Sequence, residues 1–304
     1  MTGDYGASIP ADTIKSFERT ILNFRQAERD KMLARNLNTL RTVGPAIQTD
    51  VVTYWEKKGG NANILAAIKA KGAAADLVGA SEDQKDYPMY KLTVGFNYNV
   101  RDIGLDPALY TRNVEICTRE VRRLEDYLWI NGSTAPALTG IITAARANEK
   151  GKVAAYGTSS SPPSCDSIGN WAGTDTYIDI YKDVLQAWSR LDDNFEAMYI
   201  GCTKATAIPL RSMDDMRNKY ADQILDLFGA TSLNDVLRTS EYWPAGYVYV
   251  IAKDPEGSEF VISEDLKVKA YAEQPGEVIP VELIEWINPC EVHKNTIAAE
   301  IYTL

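Results

Sequence analysis

The chain has 304 residues, 45% hydrophobic and 24% charged, enough for one large folded domain or two modest ones. Its 42 acidic residues against 32 basic ones leave a net charge of -10, which argues against a dedicated nucleic-acid binder, since such proteins neutralise phosphates with Lys and Arg. No apolar run approaches the roughly 20 residues of a membrane helix, residues 1–10 lack a secretory pattern, and the four cysteines are isolated, so a reduced, intracellular setting away from membranes is expected.

In chain order, residues 1–11 read as a tail. Asp12 or Thr13 then caps a helix with Ile14, Phe17, Ile21 and Phe24 on one face, and a charged run extends it through Arg41. Gly44-Pro45 ends that segment, Asp50–Trp55 reads as a short strand, and Ala-rich Ile64–Ala75 follows Gly59-Gly60. Ser81–Asp86 reads as a polar tip. Beyond it Leu92, Val94, Phe96, Tyr98 and Val100 alternate with Thr93, Gly95, Asn97 and Asn99, a strand pattern placed in an exposed hairpin. A long strand outside a core offers unpaired backbone to a partner, so this zone predicts association.

The strongest helix signal follows. Asp106 can cap it, Pro107 suits its first position, and Tyr110, Val114, Cys117, Val121, Leu124 and Leu128 recur at helical spacing. Asn131-Gly132 stops it after a span of roughly 36 Å. The other face carries Arg112, Glu115, Arg119, Glu120, Arg122, Arg123, Glu125 and Asp126, to be covered either by water or by a strand or neighbouring subunit. Leu138 to Ile141 reads as a strand start, and Val153–Gly173 as a loop.

The second half predicts a helix capped by Thr174 or Asp175, with Tyr177, Tyr181, Val184, Trp188 and Leu191 on one face. A buried strand at Ala197–Gly201 comes next, then a helix capped by Ser212 and running through Met213, Met216, Tyr220, Ile224 and Phe228 to Gly229. A short helix begins at Thr231 or Ser232. From Gly246 the chain reads as strands (GYVYVIA, EFVIS, KVKAYA, VIPVELIEWI, TIAAEIYT) separated by DPEG and QPGE turns. Helices and strands mix without regular alternation, which is an α+β class.

Catalytic signatures are missing. Neither phosphate-cradling glycine motif occurs, and His293 is the single histidine, which leaves no histidine-based metal site and makes a Ser-His-Asp triad remote; a surface or interface place is expected for it. The acidic pairs Asp192-Asp193, Asp214-Asp215 and Glu125-Asp126 read as solvated faces, and Cys117 as core. No cofactor is expected, and an enzyme on an α+β scaffold is the weakest reading.

The residues then carry a resemblance. The hairpin ends in KLTVGFNYNVRDI, the long helix in LEDYLWINGS, LTGIIT follows, and the chain closes with SEDLKVKAY and ELIEWINPCEVHKNTIAAEI. Over roughly residues 70–304 this resembles the HK97-type shell proteins, the major capsid proteins of tailed double-stranded DNA viruses and the encapsulins. The helix end is the most specific part: Glu125, Asp126, Asn131, Gly132, then Leu138, Gly140 and Ile141. The ending departs from the family pattern at Cys290 to His293 and at Asn295.

The resemblance implies an N-terminal arm over 1–45, the start of a peripheral domain over 46–75 and an E-loop over 76–104. A spine helix over 105–137, an axial domain over 138–262 and peripheral return strands over 263–304 complete the layout. It implies inter-subunit contacts through Lys85, Tyr87, Lys91, Phe96 and Tyr98 of the E-loop, with Arg112, Glu120, Arg123 and Asp126 on the spine helix. The implied function is an icosahedral capsid of pentamers and hexamers in a virion, assembled in the host cytoplasm. It encloses double-stranded DNA without sequence specificity and works with portal, scaffold or decoration proteins. The alternative is an encapsulin shell around a cargo enzyme. The first helix lacks the tryptophan and Pro-Ile pattern of cargo-binding encapsulin helices, which favours the viral reading.

Overall fold

The computed structural model describes residues 32–43, 51–58, 81–99, 108–134, 137–148, 171, 176–192, 195, 197–216, 218–271 and 278–303. The helix expected from residue 12, Gly44-Pro45, the Ala-rich segment, Asp106-Pro107 and the QPGE turn lie outside these residues, as does most of the 153–173 loop. Among the described residues the fold is α+β, as expected.

The N-terminal segment is not helical through Arg41. A one-turn helix α1 (Leu33–Leu37) gives way at Asn38 to strand β1 (Thr39–Thr42). Next comes a two-stranded antiparallel ribbon of β2 (Val51–Lys58) and β3 (Ser81–Pro88), in register from Val51 opposite Pro88 to Lys58 opposite Ser81. Ser81–Asp86 is therefore strand, not a polar tip: backbone pairing with β2 overrides its low strand propensity.

Strand β4 (Tyr90–Asn99) is also not a free arm. Each of its residues is opposite one of strand β11 (Val278–Val292), from Tyr90 opposite Ile287 to Asn99 opposite Val278. Strand β10 (Ser258–Ala270) lies on the other side of β11, and β1 pairs parallel to β10, giving a sheet in the order β1-β10-β11-β4. The two strands expected at EFVIS and KVKAYA are one strand, kept continuous by register shifts between Glu259 and Lys267.

Over this sheet lies the long helix α2 (Ala108–Asn131). Val114, Cys117 and Val121 pack with Leu266, Ile279, Val281 and Leu283, with Val94 and Phe96 half-buried beside them. A fully buried aliphatic side chain of this kind contributes about 1.5–3 kcal/mol. The helix then leaves the sheet, and Trp129 and Ile130 enter a larger core. Its buried stripe runs Val114, Thr118, Val121, Glu125, Trp129, so Leu124 and Leu128 are only half-buried, and three polar residues, Thr118, Arg122 and Glu125, lie inside.

The larger core surrounds a second sheet. Strands β7 (Ala197–Cys202), β8 (Leu237–Thr239), β9 (Tyr247–Lys253) and β12 (Ala298–Tyr302) stand in the order β12-β9-β7-β8. The last strand thus belongs here and not beside β10 and β11, and the boundary expected between residues 262 and 263 falls inside β10. Helix α3 (Ile141–Ala147) occupies the place where a strand start was expected. Helix α4 (Tyr177–Trp188) is capped by Thr176 through a capping box with Asp179, one or two residues later than anticipated. The single helix expected to Gly229 is two, α5 (Ile208–Asp215) and α6 (Lys219–Leu227); the Asn218 side chain accepts from the Tyr220 amide and restarts the helix. Ser232 caps α7 (Leu233–Val236), as the sequence suggested.

Short strands β5 (Ser133–Thr134) and β6 (Ala137–Leu138) turn the chain between α2 and α3. Gly132 has φ +71°, and a Cβ there would strike the Leu138 carbonyl; a Cβ on Gly140 would strike the Gly132 amide. The two backbones therefore touch only because both residues are glycine. Gly140→Ala is expected to cost about 1–3 kcal/mol by overpacking, read as a lower urea midpoint with an unchanged slope.

Candidate functional site

The residues flanking the end of the long helix converge on a buried junction. Glu125 points inward from α2 and meets two guanidinium groups, Arg35 of α1 at 2.7 Å and Arg122 one turn back on its own helix. Glu285 of β11 approaches the same pair, 3.3 Å from Arg35 and 3.4 Å from Arg122. Both carboxylates are buried, Arg122 is nearly so, and Asp265 reaches Arg35 from the solvent side at 3.4 Å. Asp126 points the other way and accepts from the Ala34 amide at 2.8 Å, supplying a cap from a distant helix to a one-turn helix whose N-cap, Met32, has no capping side chain. Arg35 also lies over the Phe260 ring at 5.2 Å.

Burial and pairing divide the acids. Burial disfavours ionised Glu125, but Arg35 and Arg122 overcome it and hold its carboxyl below the usual range. Burial next to the Glu125 charge pushes Glu285 well above it, despite the same arginines. The same pair of arginines thus stands between two acids that burial and pairing drive in opposite directions. Burial pushes Asp126 up to about 7, against the pull of the Ala34 and Leu33 amides.

The expected solvated face of the helix is therefore wrong at Arg122, Glu125 and Asp126. A strand and α1 lie along it, the alternative the sequence had left open. Arg112, Glu120 and Arg123 are exposed, with Glu120 and Arg123 paired at 3.0 Å. Lys91 is exposed, whereas Phe96 packs toward the sheet core. Tyr87 donates to the Val292 carbonyl at 3.1 Å within its own chain. Lys85 pairs with Tyr54 in the ribbon and Tyr98 with Ile279 in the sheet, both through backbone; their side chains lie outside the description. The site residues named from the sequence are therefore not gathered at one place. Sequence reasoning missed Arg35 and Glu285, for which charge alone gave no signal.

His293 is buried, not superficial, because its backbone N–H is drawn in to the Gly257 carbonyl at 2.8 Å and its ring meets Tyr87 edge-on. With Glu259 and Glu291 it forms a close group of side chains, but the Arg41 guanidinium lies against both carboxylates and supplies their counter-charge, which makes the group an ion cluster. An open cleft of about 570 Å³ beside the helix end is lined by Tyr127, Asn131, Ser133, Thr134, Thr139 and Thr143 among others, with no carboxylate, basic side chain or thiol among the described residues of its lining. Cys117, Cys202 and Cys290 are buried, and burial raises all three thiols, the state of inert packing residues. Among the described residues no helix is long and apolar enough to cross a membrane.

Arg35→Leu is expected to cost about 3–5 kcal/mol in chemical denaturation, because two buried carboxylates lose a shared counter-ion; Glu120→Gln, at an exposed pair, should stay within about 0.5 kcal/mol. Asp126 also sets a pH dependence. Its folded form binds a proton more tightly than the unfolded chain, so its contribution is complete below the ordinary carboxylate range and is lost as pH rises through about 7. Asp126→Asn should flatten the fall in denaturation midpoint between about pH 4 and about pH 7.

Neither a family model nor a curated protein sequence matches this chain. Solved structures do match. The capsid of an empty GTA particle aligns over 90% of this chain and 89% of its own, with TM-score 0.62 and 15% identity. The virus-like particle from Pyrococcus furiosus aligns over 96% and 100%, with TM-score 0.56 and 11% identity. The holo-SrpI encapsulin of Synechococcus elongatus PCC 7942 aligns over 99% and 92%, with TM-score 0.53 and 10% identity. At such identities the likeness lies in the arrangement of the chain, and that arrangement is the HK97-type shell fold.

Proposed function

We propose that this chain is a structural shell protein that assembles, many copies together, into a closed icosahedral capsid enclosing double-stranded DNA. One observation carries the reading: the likeness to shell proteins runs through nearly the whole of both chains, 96% of this one and 100% of the virus-like particle subunit. The chain then acts by assembly and not by catalysis, in keeping with buried acids that are tied into ion clusters with arginines.

In this reading the E-loop, expected over 76–104, is moved to the ribbon within residues 51–88 because β4 pairs with β11; α2 is the spine helix, the β10-β11-β4 sheet belongs to the peripheral domain, and the sheet of β7, β8, β9 and β12 belongs to the axial domain. The ribbon lies over the neighbouring copy, with Lys85 among its contacts, and Lys91, Arg112, Glu120 and Arg123 offer exposed charge to adjacent subunits. Closed symmetry repeats each contact, so modest pairwise energies sum to a stable container. A net charge of -10 suits an inner wall along which packed DNA must slide. The compartment is the virion, with assembly in the host cytoplasm and with portal, scaffold or decoration proteins as partners.

The likeness to the SrpI encapsulin over 99% of the chain supports a second reading, a shell around a protein cargo. Light scattering and electron microscopy of the purified protein are expected to give closed particles holding nuclease-resistant double-stranded DNA. Particles filled by one stoichiometric protein without nucleic acid would select the encapsulin reading, and a persistent monomer or dimer across salt and concentration would refute both.

A further inference from the structure

At the junction of α1, α2 and β11, Arg35 and Glu125 are fully engaged, whereas Arg122 and Glu285 are engaged on one side only. Arg35 donates through Nε to Glu125 Oε2 at 3.0 Å, through Nη2 to Glu125 Oε1 at 2.7 Å and Glu285 Oε2 at 3.3 Å, and through Nη1 to Asp265 at 3.4 Å. Arg122 makes its contacts through a single nitrogen, Nη1, which donates to Glu125 Oε1 and, at 3.4 Å, to Glu285 Oε2. Its Nε and Nη2 meet no acceptor among the described residues, and Glu285 Oε1 meets no donor, although all three atoms are sealed from solvent. The two side chains are 6% and 0% exposed.

Burial is what makes these three atoms informative. A guanidinium N–H shut away from bulk water is paired in a folded protein, because an unmade bond forfeits the hydration given up on folding. Nε and Nη2 form one edge of a planar fork and point the same way, so one small acceptor can take a bond from both. That acceptor is uncharged. An anion in the fork would set a further negative charge beside Glu125 and Glu285 where no solvent screens it. Water accepts from the fork and serves Glu285 in either form. Burial and the Glu125 charge push that carboxyl up, and a water molecule can donate to its ionised oxygen or accept from its protonated one. The fork and Oε1 together offer about three hydrogen bonds, the usual number for an internal water.

We propose that one internal water molecule sits between the Nε–Nη2 edge of Arg122 and Oε1 of Glu285, completing the contact of α2 with β11 in an otherwise dry junction. The direct ion pair ties helix to strand through Nη1, and the water ties them through the opposite edge of the same guanidinium, so Arg122 is held on both sides. The site belongs to the single chain and stands apart from assembly and from what a particle encloses.

A density map of the purified protein, by crystallography or by electron microscopy of particles, at a resolution that shows ordered water tests the site directly. A peak is expected about 2.7–3.2 Å from Arg122 Nε or Nη2 and from Glu285 Oε1. In solution, ¹⁷O relaxation dispersion should count one long-lived water fewer in the double variant Arg122→Met with Glu285→Leu. That variant removes fork and acceptor together, leaves the pair of Arg35 and Glu125 whole, and replaces buried charges by apolar groups of similar volume, a change folds often tolerate. Glu285→Gln keeps a polar atom at the same place and should keep the water. A map without the peak, a protein acceptor seated in the fork, or an unchanged count of long-lived waters in the double variant would overturn the proposal. So would a bromide-specific anomalous signal in the fork after exchange of chloride for bromide, which would mark an anion site instead.

Discussion

Two arginines, Arg122 buried and Arg35 half-buried, face two buried glutamates and hold the N-terminal segment, the long helix and the central strand β11 in one arrangement. Arg35, Arg122, Glu125 and Glu285 each come from water at a desolvation cost of several kcal/mol, and only their mutual contact offsets it. Such a cluster has little tolerance for partial assembly: remove one member and the others are left charged in a dry interior. The junction therefore makes the position of α1 conditional on the correct docking of α2 against β11. Asp126 adds direction, since its oxygen reaches only an α1 whose Ala34 amide faces it.

Strand β11 joins the first sheet, the long helix and the base of the ribbon. It pairs with β10 on one side and β4 on the other, carries Glu285 under the helix, and at its end carries Glu291 and Val292 into the cluster at the ribbon base. The helix passes from this sheet into the second core, where Trp129 meets Trp243 edge to face and Trp243 stacks on Tyr249. Tyr249 in turn donates to Glu300, which Arg146 approaches at 2.9 Å. A rigid helix anchored in two cores ties the sheets together, and the glycine pair at its end allows the chain to turn without a gap. The ribbon, a two-stranded sheet of its own, attaches to this frame through polar contacts at its base, a type of bond more easily broken and remade than apolar packing.

Both ion clusters grip the same short segment, residues 32–43, through Arg35 and Arg41. Lys253 adds a hydrogen bond to the Asn36 carbonyl, and Ser258 one to Asn38. The grip is polar and largely buried, which makes it specific in register and responsive to protonation. Apolar burial of comparable strength would give neither property.

The sequence by itself determined the α+β class, the long helix and its stop at Gly132, the short helix starting at Thr231 or Ser232 and the strand at Ala197–Gly201, because each rests on local rules of periodicity, capping or turn chemistry. It also marked the helix end, where Glu125, Asp126, Gly132 and Gly140 stand, although it could not say why those residues are there. Only the tertiary structure decided that Glu125 and Arg122 lie inside, that Ser81–Asp86 pairs as a strand, that β4 belongs to a sheet, and that β12 crosses to the second one. The reason is common to all four. A charge can be buried if its partner is 90 or 163 residues away, and a polar or alternating segment becomes a strand when another strand satisfies its backbone; neither condition is written in the residues nearby.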